Sequence, residues 1–104
     1  MPFGLKDHII AQIIGIFIKY PQIDQVILYG SRAKGNYKNG SDIDLTLVAD
    51  DLDLKLLNKI ELEIDDLMLP YTFDMSLYQD IANPDLIDHI RRVGRVFYKA
   101  DIFS

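Results

Sequence analysis

Cysteine is absent from the 104 residues. Disulfides, thiolate metal sites and cysteine nucleophiles are therefore excluded. Long apolar runs are missing too. The longest, Ile9 to Ile18, is interrupted by Gln12 and is too short to span a bilayer. Met1-Pro2-Phe3-Gly4-Leu5 lacks the basic leader and small-residue cleavage site of a signal peptide. A cytoplasmic protein with no membrane attachment is expected. Positive charge is in the minority, with 11 Lys and Arg against 16 Asp and Glu, a net charge of −5. A surface of that sign does not hold a nucleic-acid backbone by general electrostatics, although metal ions and a few basic residues suffice for a nucleotide. The remaining composition, 49% hydrophobic and 26% charged, is that of a globular chain, and the length suits a single domain over residues 1–104.

Hydrophobic periodicity orders the chain. Ile9, Ile10, Ile13, Ile14 and Phe17 recur at helical spacing within residues 5–19, and Pro21 follows. Residues 25–29, Gln-Val-Ile-Leu-Tyr, read as a strand that stops at Gly30-Ser31. A short helix is expected from Ser31 to about Gly35, then a turn at Asn39-Gly40, then a strand over 42–49. Asp53 has the character of a helix N-cap, with Leu52 and Leu57 at the staple positions. Leu56, Ile60, Ile64 and Leu67 form one stripe of a helix over 54–67, which Pro70 ends. A third strand is expected over 71–77, a helix after Asn83-Pro84-Asp85 closed by Gly94, and a short strand from Arg95 to Tyr98. The order predicts an α/β (α+β) fold: a small mixed sheet of about four strands with helices packed on it.

The sequence Ser41-Asp42-Ile43-Asp44-Leu45 carries the chemistry. Residues two apart in a strand share a face, so Asp42 and Asp44 point together from Cα atoms about 7 Å apart, while Ile43 and Leu45 turn to the core. Adjacent carboxylates repel each other and raise each other's pKa unless a cation joins them, and hard oxygen donors suit Mg²⁺ or Mn²⁺. A lone Asp-x-Asp also marks an ordinary solvent face. The strand end at Gly30-Ser31 offers free backbone N–H groups to an anion, with glycine allowing close approach. It is equally the form of a plain strand-to-helix turn. Asp74, between Phe73 and Met75, shares a polar strand face with Thr72 and Ser76 and supplies a third carboxylate. His8 and His89 are expected at surface or helix-end positions with no part in chemistry.

Gly30-Ser31, ten intervening residues, Asp42-Ile43-Asp44-Leu45 and then Phe73-Asp74-Met75 resemble the polymerase-β-like nucleotidyltransferase superfamily. The fuller forms Gly-Ser-Arg-Ala-Lys-Gly and Ser-Asp-Ile-Asp-Leu resemble its smallest branch, the minimal nucleotidyltransferases, over residues from about 25 to 98. Lys34 stands where the family often has arginine. The resemblance implies that Asp42, Asp44 and Asp74 hold two Mg²⁺ ions, with Mn²⁺ as a substitute, and that Asp74 helps to activate the acceptor hydroxyl. It implies that Gly30 and Ser31 hold the phosphates of ATP through backbone N–H and hydroxyl. Arg32 and Lys34 either neutralise phosphate charge or stand as solvated helix residues.

No separate acceptor-binding domain is visible in the sequence. Minimal nucleotidyltransferases resemble the antitoxin half of two-gene modules whose toxin is a helical HEPN ribonuclease. This implies a protein partner, AMP transferred to a tyrosine hydroxyl of that toxin, and a hetero-oligomer. A non-catalytic antitoxin acting by contact and a transferase acting on a small molecule are the competing expectations. The intact set of three acids favours catalysis, and the missing acceptor domain disfavours the small molecule.

Overall fold

The computed structural model describes residues 2–38 and 40–100. β1 (Ile23–Tyr29), β2 (Ile43–Ala49), β3 (Phe73–Leu77) and β4 (Arg95–Lys99) form one sheet in the order β3-β2-β1-β4. β1 runs antiparallel to β2 and to β4, while β2 and β3 are parallel. A parallel pair needs a crossover, and helix α3 (Leu54–Asp65) supplies it. The other helices are α1 (Asp7–Phe17), the four-residue α2 (Ser31–Lys34) and α4 (Pro84–Val93). The mixed four-stranded sheet and the element order agree with the sequence pattern. The 3-10 turns at Pro2–Gly4 and Tyr78–Asp80 are additions to it. Asn39 of the expected Asn39-Gly40 turn lies outside the described residues.

Alternation sorts the strands onto two faces. Val26, Leu28, Ile43, Leu45, Leu47 and Leu77 are buried in one core with Ile13 and Phe17 of α1 and Leu57, Ile60 and Ile64 of α3. Each such side chain contributes about 1.5–3 kcal/mol when fully buried. α3 starts as its sequence demands, because the Asp53 carboxylate accepts the Leu56 N–H at 2.9 Å. Glu63 of α3 accepts from Lys19 and Tyr20 just beyond α1, which ties the two helices together.

The opposite face is only partly covered. α4 begins with Asn83, whose side chain accepts the Asp85 N–H at 2.9 Å, and with Pro84 in the first helical position. It lies against β1. At Gly94 a Cβ would fall 2.3 Å from the Ile90 carbonyl oxygen and 2.8 Å from Ile27 Cγ2. Gly94 has φ −60°, so this glycine serves close packing of helix on strand rather than a left-handed cap. No described helix is long and apolar enough to cross a membrane.

Candidate active site

Strand register builds the site. Tyr29 pairs with Asp44, and Asp44 pairs with Asp74, so the three side chains form one row across β1, β2 and β3. The next row on the same face is Ile27, Thr46 and Ser76, where the Ser76 hydroxyl donates to Thr46 Oγ1 at 3.1 Å. Thr46 is fully buried, Asp44 is half-buried, and Asp42 and Asp74 are exposed. Asp42 sits one residue before β2 rather than within it.

The electrostatics fit uncompensated negative charge. Burial first, then Asp74, then Asp42 raise the pKa of Asp44 above its ordinary value. His89 opposes them only when its ring is protonated. Burial also raises Tyr29, with Asp74 and Asp44 adding to it against a hydrogen bond to Ser76. Among the described residues no three His, Asp or Glu groups stand close enough together to form a ready metal cage. The donor set still has the right chemistry for a hard divalent ion: carboxylate oxygens that repel one another, with no cationic side chain paired to them among the described residues.

Gly30 joins this row to α2. Its φ of 77° and ψ of −156° place it in a region open essentially to glycine alone. A Cβ built there would fall 2.3 Å from Asp44 Oδ2. Glycine is therefore required both by the backbone and by the carboxylate packed against it. Lys34 N–H and Gly35 N–H return to the carbonyls of Gly30 and Ser31. Among the described residues, the N–H groups of Ser31, Arg32 and Ala33 have no backbone acceptor. They remain donors for an anion.

Two positions carry contacts that the sequence does not show. The Gly30 N–H donates to His89 Nε2 at 3.2 Å. The ring of His89, from α4, also meets Tyr29 edge-on at 6.2 Å between centroids. A histidine expected to be outside the chemistry thus stands against the turn and beside the acid row. The bond spans 59 positions in the sequence, and only the docking of α4 reveals it.

Arg32 is the second. It is 4% exposed. Its Nε and Nη2 donate to the Ser41 carbonyl and its Nη1 to the Phe3 carbonyl. Tyr37 and Tyr71 lie 5.1 and 5.2 Å from its Cζ. The guanidinium holds the loop before β2, so Arg32 is not the solvated helix residue that is one of its two expected roles. Lys34 is exposed at the far end of α2 from Gly30, beside Arg92 and Arg95.

A family profile described as "Polymerase beta, Nucleotidyltransferase" matches residues 11–103. The chain belongs to this family and is a nucleotidyltransferase. No curated protein sequence matches it. Among solved structures, a toxin–antitoxin complex with AMP-PNP is similar at a TM-score of 0.70 and 20% identity, covering 88% of this chain and 74% of that one. A tri-AMPylated Shewanella oneidensis HEPN toxin in complex with MNT antitoxin is similar at 0.67 and 17%, covering 92% and 74%. At these identities the likeness is one of fold.

Proposed function

We propose that this chain transfers AMP from ATP to a hydroxyl, most simply a tyrosine, of a HEPN-type toxin and thereby acts as its antitoxin. One observation carries the reading: Asp44 and Asp74 stand side by side on the partly covered sheet face, with Asp44 packed against the Gly30-Ser31 turn. The similar structures of toxin–antitoxin complexes, one with AMP-PNP and one with an AMPylated toxin, support the choice of nucleotide and acceptor.

The first turn of α2 binds the triphosphate through the N–H groups of Ser31, Arg32 and Ala33 and through the Ser31 hydroxyl. Asp42, Asp44 and Asp74 would hold Mg²⁺ or Mn²⁺, which supplies Lewis-acid stabilisation of charge on the phosphates. Asp74, the exposed acid on the edge strand β3, orients the acceptor hydroxyl and takes its proton. The hydroxyl oxygen bonds to the α-phosphorus, the bond from that phosphorus to the oxygen bridging to the β-phosphorus breaks, and pyrophosphate leaves.

Intact-mass spectrometry of the partner after incubation with ATP and Mg²⁺ tests this. Wild type should add one or more AMP units. Asp74→Asn should bind the partner and add none, because the substitution removes charge and little shape. An unmodified partner that is nevertheless silenced by wild type would replace transfer with neutralisation by contact.

A further inference from the structure

The Gly30 peptide is held from two sides. Asp44 Oδ2 lies against its Cα, leaving no room for a Cβ, and His89 Nε2 accepts its N–H at 3.2 Å. An accepting Nε2 belongs to a neutral ring whose proton is on Nδ1. His89 is seated by its surroundings. Ile90, the next residue, is buried against the sheet, Tyr29 meets the imidazole edge-on, and α4 is closed on β1 at Gly94.

We infer that His89 is a positioning residue for nucleotide binding: through the Gly30 N–H it fixes the peptide that aims the start of α2, so that the donors of Ser31, Arg32 and Ala33 are arranged before the triphosphate arrives. Two features of the turn make such a support necessary. Gly30 is the residue with the greatest backbone freedom at the strand-to-helix junction, and α2, with four residues, is too short to hold its own orientation. Without the imidazole, the 29–30 peptide plane is free to rotate, and the anion-binding donors rotate with it. His89 acts through Gly30 and touches neither nucleotide nor acceptor. Its role rests on the proposed ATP site but concerns only how that site is preorganised.

The test uses ATP titration of the whole protein with Mg²⁺ and no partner, alongside thermal melts and amide hydrogen exchange at Gly30. His89→Leu removes the acceptor and keeps bulk. His89→Gln keeps an acceptor. Losing one hydrogen bond to a partly buried donor corresponds to a weakening of ATP binding by up to about tenfold in the Leu variant. The expected result is weaker binding with a cooperative melt lowered by about 4–8 °C, faster exchange at Gly30, and recovery of most affinity in His89→Gln. His89→Asn, polar but too short to reach, replaces the Leu variant if that one does not melt cooperatively, and should likewise bind weakly. Equal affinity in all variants would overturn the inference. So would equal losses in Leu and Gln, which would make ring shape the relevant property, and so would tighter binding in Leu, which would make His89 a competitor for the N–H. Failure of wild type itself to bind ATP would instead overturn the proposed function.

Discussion

Asp44→Asn should make the metal-free protein more stable while removing its activity. Asp44 and Asp74 are paired in parallel strands, whose axes lie about 4.8 Å apart. Two charges at roughly 5 Å repel by about 3 kcal/mol at an effective dielectric of 20 and about 0.8 kcal/mol in bulk water. Asp74 is exposed and Asp44 half-buried, so screening moves the value toward the lower figure. A gain of about 1 kcal/mol is expected, which for a domain of this size raises Tm by about 4–8 °C. The pH dependence gives a second check. The folded-state pKa of Asp44 lies above its unfolded value of 3.8, so between the two the folded state binds more protons than the unfolded one. The contribution of Asp44 to stability therefore falls as pH rises through that window and is flat above it. The asparagine variant lacks this loss. Its advantage should be small near pH 4 and complete at pH 7. Melts across that range, each with and without Mn²⁺, read all of this, because an ion that binds only the folded wild type should narrow the difference. An Asn variant that melts at or below wild type at pH 7 without metal, or gains equally at both pH values, would refute the reasoning.

Gly30→Ala should lose ATP binding in titrations and also melt lower by about 1–3 kcal/mol, because the side chain strains φ 77° and drives Asp44 Oδ2 from its place. Arg32→Lys should destabilise by about 2–4 kcal/mol in denaturant melts, since lysine cannot serve the Ser41 and Phe3 carbonyls from one planar fork. ATP affinity under conditions where that variant is folded should be close to wild type; a selective loss of affinity with a wild-type melt would make Arg32 a phosphate ligand.

Local rules carried the sequence a long way. Periodicity of two separated Ile43, Leu45 and Leu47 from Asp44 and Thr46, and the structure buries the first set beneath α1 and α3. The same rule placed Asp74 with Ser76, and the strand register then set Asp74 beside Asp44. Asp53 was legible as a cap because capping depends on residues three apart. Gly94 was legible as a helix end but not for its reason, which is contact with Ile27 across the sheet. The residues whose surroundings were not legible are those that depend on distant partners. Arg32 lies next to Ser31 in a turn that resembles a phosphate site, yet its fate is decided by Phe3, Tyr37, Ser41 and Tyr71. His89 occupies a helix position of no obvious pattern, and its partner is a backbone N–H, which leaves no mark in the sequence. Its nearness to Ile90, a buried position at the helical stripe, was the one available sign that this part of α4 faces the sheet.

The location of the site follows from unequal cover. α1 and α3 pack over one face of the sheet, whereas among the described residues the other is reached by α4, which lies on β1, and by Tyr78 of the 3-10 turn beside Ile27 and Val48. Strands β2 and β3 can therefore carry carboxylates on that face without burying them fully, and Asp74 on the edge strand remains exposed to an incoming partner. The cost is a carboxylate that burial first, and repulsion from Asp74 and Asp42 next, push above its ordinary pKa. Gly30 beside it has neighbours on two sides: a Cβ there would fall 2.3 Å from Asp44 Oδ2, and its N–H donates to His89 Nε2 at 3.2 Å. Acid row, Gly30 turn and α4 are thus in mutual contact, and in the proposed reading a helix that adds cover to the sheet also sets the donors for the nucleotide.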